Sequence, residues 1–143
     1  MLARDMTFRR LLAISLLILA GCGPITRVAT MELSGTSWQL VELDGEAALA
    51  DALPMLAFDD QGAVTGSTGC NTFNGQMTID GSDVAFGPLV TTRKACLDPA
   101  ANRQEQAFLA AMEGVTSYTI DEEGRLVLQG VTDLTFEVAP VSS

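Results

Sequence analysis

Three segments of this 143-residue chain share one pattern, in which alternating apolar residues flank a short turn rich in Asp and Gly. The turns fall at residues 59–62, 80–83 and 121–124. Alternation with a period of two places every second side chain on one face of a strand, and an Asp/Gly turn lets the chain reverse. The pattern therefore predicts three antiparallel hairpins. Thr-Ile-Asp precedes two of the turns, at Thr78 and Thr119, and indicates shared turn chemistry.

Two further stretches alternate in the same way, one near each end of the predicted domain. LSGTSWQLVEL begins at Leu33, and we expect its Trp38 to anchor the core. LTFEVAP, which begins at Leu134, predicts the last strand. The alanine-rich segment 46–53 fits either a short helix or a loop, and Pro54 ends it.

One helix interrupts the strands. Asp98 is a good N-cap, and Pro99 suits the first helical position because its missing N–H would be unpaired there anyway. Residues 102–112 are mostly strong helix formers, and Gly114 can end the helix. The expected buried stripe is Phe108, Ala111 and Met112. Strands, one helix and then strands predict an α+β domain that is mainly antiparallel.

The N-terminus has the features of a secretory signal. Basic residues precede an apolar run at residues 11–19, which is shorter than the roughly 20 residues that span a bilayer. Leu19-Ala20-Gly21-Cys22 then resembles a bacterial lipobox, which predicts cleavage after residue 21 and a lipid on Cys22. A start at Met6 would leave the signal complete.

These features set the predicted organisation of the chain. Residues 1–21 are the signal peptide, 22–32 a lipidated tether, 33–139 the domain and 140–143 a C-terminal tail. Gly23 follows the lipobox cysteine where an Asp would favour retention in the inner membrane. We therefore expect an outer-membrane anchor with the domain facing the periplasm.

Composition excludes several classes of function. The formal net charge is −10, and the predicted signal peptide removes three of the eight basic residues. An acidic domain lacks the positive surface that nucleic acids require, so we expect membrane attachment through the lipid alone. The chain contains no His, which excludes a Ser–His–Asp or Cys–His unit and an imidazole zinc site. We therefore predict no enzyme activity, no cofactor and no metal.

Two cysteines remain in the predicted domain, Cys70 and Cys96. In an oxidising compartment an even pair most simply forms a disulfide, here closing a loop of about 26 residues. Buried free thiols are an alternative. A reactive Cys96 is another, because Arg93, Lys94 and a helix start lie close in sequence. A metal site of two cysteines without a histidine is the least favoured interpretation.

Four motifs together resemble the META domain, or HslJ-like, family. They are LSGTSWQLVEL, GSTGCNTFNG, FGPLVTTRKACLDP and QEQAFLAAMEGVTSY, in the family's order. The one noted departure is Lys94, where a methionine is common. The resemblance implies a small curled sheet or partial barrel with one packed helix, often in envelope lipoproteins. It carries no established catalytic residues to this chain.

The leading functional hypothesis is a non-catalytic envelope module that binds or supports another envelope component, with a link to stress. Candidate contact residues are Asn71, Asn74, Arg93 and Lys94, although the same stretch can simply be a structural corner beside a disulfide. The alternative is a carrier of a small apolar ligand or lipid inside the curled sheet. Its candidate lining residues are Met77, Phe86, Leu128 and Phe136.

Overall fold

The computed structural model describes residues 33–140. The predicted signal peptide, Cys22, the tether and tail residues 141–143 lie outside the described residues. Within the described part, ten strands and one helix follow each other along the chain. The strands are β1 Ser37–Leu43, β2 Glu46–Ala47, β3 Met55–Phe58, β4 Ala63–Ser67, β5 Thr72–Asp80, β6 Asp83–Phe86, β7 Val90–Thr91, β8 Ser117–Ile120, β9 Leu126–Gln129 and β10 Leu134–Val138. The helix α1, Pro99–Glu113, lies between β7 and β8.

Eight of the strands form a closed antiparallel barrel. Their order around the ring is β1-β3-β4-β5-β6-β8-β9-β10, and β10 pairs back onto β1. That closing pair runs from Trp38 opposite Val138 to Leu43 opposite Leu134. The short strands β2 and β7 add to β1 and β5. The predicted α+β class is confirmed, and the sheet closes fully where the family resemblance implied a curled sheet or partial barrel.

The three predicted hairpins are present as β3–β4, β5–β6 and β8–β9. In the first, Asp59 Oδ1 accepts hydrogen bonds from the backbone of Gln61 at 2.8 Å and Ala63 at 2.7 Å. Asp121 Oδ1 accepts the equivalent pair of bonds in the third hairpin, from residues 123 and 125. The shared turn chemistry therefore joins the first and third hairpins. The Thr-Ile-Asp repeat pointed instead to the second and third.

Because strands β3, β4, β5, β6, β8 and β9 alternate in direction around the ring, the three hairpin turns lie at one end of the barrel, which we call the hairpin end. The chain also enters there, since the Gly35 N–H donates to the carbonyl of Phe58 at 2.8 Å. The opposite end carries the connections after β4 and β7, including both cysteines, and we call it the disulfide end.

Helix α1 begins and ends where the sequence indicates. Asp98 accepts a hydrogen bond from the Ala100 N–H at 2.9 Å, and Gly114 caps the other end by donating to the Ala111 carbonyl at 3.1 Å. Phe108 is fully buried and contacts Phe73 and Phe136, with ring centroids 5.8 and 6.5 Å apart. The helix therefore contributes to the same core as the barrel strands.

The loop alternative holds for segment 46–53, and the short-helix alternative is wrong. Glu46 and Ala47 pair with β1, and the following residues form turns. Pro54 then leads directly into β3, and its carbonyl accepts a hydrogen bond from Leu40 N–H at 2.8 Å. Within residues 33–140, no helix is both long and apolar enough to cross a membrane.

Candidate functional site: the disulfide corner

The two cysteines form a disulfide that joins two loops at the disulfide end. The Cα atoms of Cys70 and Cys96 lie 5.7 Å apart, within the usual range for a disulfide. We call residues 67–71 and 92–96, together with the helix residue Glu105, the disulfide corner. The favoured prediction for these cysteines is confirmed over the free-thiol alternatives.

The loop from β4 to β5 is a tight bend that a short set of hydrogen bonds maintains. Thr68 N–H donates to the Asn71 carbonyl at 2.8 Å, and Asn71 N–H donates to Thr68 Oγ1 at 2.8 Å. Gly69 has a φ of +89°, and a Cβ there would overlap the backbone of Ala52. Glycine is therefore required both by backbone conformation and by the close approach of a second segment.

Asn71 links this bend to the second loop. Its side-chain Nδ2 donates to the Lys94 carbonyl at 3.1 Å, and its Oδ1 accepts from the Lys94 N–H at 2.7 Å. The Thr92 hydroxyl also donates to Oδ1, at 2.9 Å. Asn71 is only 4% exposed, so its amide is used inside the protein. Its surroundings match the structural-corner interpretation, and the accessible part of the predicted contact surface is Asn74, Arg93 and Lys94.

Glu105 is the central residue of the corner, and the sequence reasoning missed it. It is 7% exposed, and its Oε1 accepts from the Thr68 hydroxyl at 2.8 Å and from Asn71 Nδ2 at 2.7 Å. Its Oε2 lies 3.3 Å from Cys96 Sγ. The signal was available in the sequence, because Ala101, Glu105 and Phe108 follow the spacing of one helix face. A charged residue on that buried face marks an internal polar site.

Three potential ligand atoms converge at this point. The sulfur atoms of Cys70 and Cys96 and a carboxylate oxygen of Glu105 lie within 4.8 Å of one another. Beside them is an open groove of about 600 Å³, with Arg93, Lys94 and Leu109 among its lining residues. Asn74 lies on β5, outside this lining, where it pairs with Val90 of β7.

Arg93 and Lys94 are both exposed at this groove. Among residues 33–140 the other two basic residues are Arg103 and Arg125, and Arg125 is paired with Asp121 at 2.7 Å. The groove therefore carries half of the basic residues in the described, strongly acidic part of the chain. Leu97, one residue beyond Cys96, is fully exposed, and Val90 is 65% exposed. Basic and apolar groups thus lie together along residues 90–97.

The chain was compared with known families and structures. A model of the META domain family matches residues 31–141. A search of curated proteins gives no match. A protein from Burkholderia xenovorans, solved by NMR, is 27% identical, with 75% of this chain and 83% of that chain covered and a TM-score of 0.62.

Two further solved structures share the fold. One is an NMR structure of a protein that is 21% identical to this chain. The alignment covers 77% of this chain and 94% of that chain, with a TM-score of 0.63. The other is the crystal structure of a DUF4847 family protein from Bacteroides vulgatus, which is 16% identical. The alignment covers 78% of this chain and 97% of that chain, with a TM-score of 0.54. At these identities the two structures support the fold alone.

Proposed function

Because the chain belongs to the META domain family, we propose that it is a non-catalytic envelope lipoprotein whose domain binds another envelope protein through residues 90–97. The single observation that carries the proposal is Leu97. This large apolar side chain is fully exposed, yet it lies between a disulfide cysteine and the N-cap of α1. Burial of this side chain in a pocket of a partner would remove apolar surface from water and so favour association.

The charges around Leu97 indicate the chemistry of the partner. Arg93 and Lys94 are exposed close to it on a chain whose net charge is −10. A partner with an apolar pocket and an acidic rim would bury Leu97 and meet both basic side chains. The acidic remainder of the domain would repel the same partner elsewhere, which fixes its orientation.

The position of the chain entry supports this geometry. If Cys22 carries a lipid, residues 22–32 reach at most about 40 Å when fully extended. The described chain enters at the hairpin end, close to Phe58, whereas residues 90–97 lead to the disulfide end. The strand β5 alone has nine residues, which spans about 30 Å. An anchored domain would therefore present residues 93–97 away from its own attachment point, towards the periplasm in the case of an outer-membrane anchor.

Anchoring is tested by fractionation and intact mass. The full chain expressed in a bacterium that processes lipoproteins is expected in the outer-membrane fraction, with acyl chains on Cys22 and the preceding residues removed. A Cys22→Ala variant is the matched control, and it should carry no acyl chains and be lost from the outer-membrane fraction. Recovery of the unmodified chain as a water-soluble species with Cys22 intact would contradict the anchoring proposal.

Partner binding is tested separately, with the native anchored chain and chemical cross-linking in cells. An Arg93→Ala, Lys94→Ala variant should lose the cross-linked partner while keeping its unfolding midpoint. Arg103→Ala is the matched control, because Arg103 is a basic, exposed helix residue outside the groove beside Lys94. Equal capture by the wild-type protein and both variants would remove Arg93 and Lys94 from the contact surface.

The link to stress is tested by the amount of the protein in cells. A higher abundance of this protein after envelope stress would support that link.

The packing gives no specific support to the alternative of an apolar-ligand carrier. Met77, Leu128 and Phe136 are buried in the core cluster, and Phe86 packs against that cluster. These four side chains therefore fill the interior in which a ligand would have to lie. Titration with a fluorescent lipid tests the carrier directly, and saturable binding would revive it.

A further inference from the structure

The contact between Glu105 and the disulfide is chemically unusual. Glu105 Oε2 lies 3.3 Å from Cys96 Sγ, but a disulfide sulfur carries no hydrogen to donate. The other oxygen of the same carboxylate already accepts from Thr68 and Asn71. A carboxylate that is 93% buried therefore directs one oxygen at a sulfur atom that gives it no hydrogen bond. This contact therefore contributes no hydrogen-bond stabilisation to the oxidised protein, and the oxygen is free to bind another group if the sulfur atoms separate.

We propose that reduction of the disulfide converts this corner into a zinc site, with the thiolates of Cys70 and Cys96 and the carboxylate of Glu105 as ligands. A dithiol reductant supplies two electrons and two protons, the S–S bond breaks, and the reductant becomes a disulfide. Zn²⁺ then displaces the two thiol protons as two zinc–sulfur bonds form. The fourth position takes water. This inference is independent of the proposed docking function.

The distances suit such a site. The three ligand atoms already lie within 4.8 Å of one another. Zinc bonds of about 2.3 Å to sulfur and 2.0–2.2 Å to oxygen place tetrahedral ligands roughly 3.5–3.8 Å apart. The Cα atoms of the two cysteines lie 5.7 Å apart, so rotation of their side chains after reduction can bring the sulfur atoms to this spacing.

The corner is also built to keep its shape when the disulfide opens. Asn71 joins the two cysteine loops through Lys94, and none of those hydrogen bonds involves sulfur. Thr68 and Asn71 hold Glu105 in place from behind, as the outer partners of a metal-bound carboxylate do. Two thiolates with one carboxylate favour Zn²⁺ over Mg²⁺ or Ca²⁺, which prefer oxygen ligands throughout.

The test uses the full chain carrying Cys22→Ala, so that no third thiol competes, after reduction with a phosphine. Titration with Co²⁺ should reach one equivalent and give the thiolate-to-metal charge-transfer and visible bands of a tetrahedral site. Competition against a chromophoric chelator then gives the Zn²⁺ affinity. The oxidised protein should give no such bands. Glu105→Gln keeps an oxygen acceptor for Thr68 but loses the carboxylate, and it should bind Zn²⁺ at least about 10-fold more weakly.

Three results would overturn the proposal. They are absence of saturable binding by the reduced chain, equal binding by a Cys70→Ser, Cys96→Ser variant, and equal affinity in Glu105→Gln. Fluorescence of Trp38 is recorded in parallel to check that the reduced chain keeps its fold. If the fold is lost, one equivalent of Zn²⁺ must restore the native fluorescence spectrum, since ligand binding and folding are then coupled. Failure to restore it would equally reject the site.

Discussion

At the scale of single residues, Glu105 connects the helix to both cysteine loops. It accepts hydrogen bonds from Thr68 and Asn71 and contacts Cys96, all in a largely buried position. A sequence scan that seeks paired carboxylates or histidines passes over it, because its partners are an alcohol, an amide and a sulfur. The predicted disulfide was correct. Glu105, which contacts both cysteine loops, can be recognised in the sequence only from its position on the buried face of the helix.

Removal of the Glu105 side chain should destabilise the domain. Glu105→Ala leaves an Asn71 side-chain N–H buried without its acceptor, at a cost of about 1–3 kcal/mol. It also leaves the Thr68 hydroxyl with only the longer bond to the Asn71 carbonyl, at 3.2 Å, and removes the buried Glu105 methylene groups from the core. We expect a loss of about 2–4 kcal/mol in urea denaturation. Glu105→Gln should lose less, because one oxygen acceptor remains. A change below about 0.5 kcal/mol for Glu105→Ala would contradict the role assigned to this residue.

Substitution of Gly69 should destabilise the domain more than substitution of another glycine that also has a positive φ. Gly69→Ala adds a strained φ and an overlap with Ala52, whereas Gly35 has φ +73° and open space around its missing Cβ. Gly35→Ala should therefore cost about 1 kcal/mol, the backbone penalty alone. Gly69→Ala should exceed it by at least about 1 kcal/mol in the same denaturation assay. Equal losses would mean that the bend can move away from Ala52.

At the scale of elements, hairpins and helix were predictable because their signals are local. Asp–Gly turns, alternation and the Asp98-Pro99 cap all act within a few residues. The similarity between the turns at Asp59 and Asp121 was not predicted. In each turn the Asp side chain accepts hydrogen bonds from the backbone N–H groups two and four residues later, and the sequence motif alone does not show these bonds. Segment 46–53 carries weak propensity, and its pairing with β1 is decided by tertiary contact.

The turn at Asp121 should weaken in acid. Desolvation alone would raise the pKa of Asp121, but hydrogen bonds from the Arg125 backbone and side chain, with its charge, lower that pKa below the ordinary 3.8. Because the folded-state pKa lies below the unfolded one, the stabilisation is complete above about pH 4–5 and is lost as pH falls through the folded-state pKa. Urea denaturation across pH 2–7 measures it, with Asp121→Asn as the control. An identical acid dependence in both proteins would contradict this assignment.

At the scale of the whole molecule, ring closure was the least predictable feature. It depends on β10 meeting β1, nearly the full domain apart in sequence, and no local pattern encodes that register. The seam between β6 and β8 is much shorter, since these strands share the single pair Asp83 and Ser117 with flanking backbone bonds. The family resemblance implied a curled sheet, and the pairing of its terminal strands makes that sheet a barrel.

The disulfide should stabilise this barrel without being required for it. The bridged residues are 26 positions apart, for which chain entropy gives roughly 3–4 kcal/mol. A Cys70→Ser, Cys96→Ser variant should lose about 3 kcal/mol yet remain folded at 25 °C, because Asn71 still joins the two loops through Lys94. Loss of the native spectrum of Trp38 at 25 °C would show that the hydrogen bonds cannot hold the corner alone.

The central claim, that residues 90–97 present the binding surface, is tested most directly by photo-cross-linking in cells. A photoreactive residue is placed at Leu97, and at Val131 as the control, in the full anchored chain. Val131 is 96% exposed and lies between β9 and β10, on the other side of the ring from β4 and β5. We predict one discrete protein adduct from position 97, which weakens with Arg93→Ala and Lys94→Ala, and none from position 131. No adduct at position 97, or the same adducts from both positions, would contradict the account.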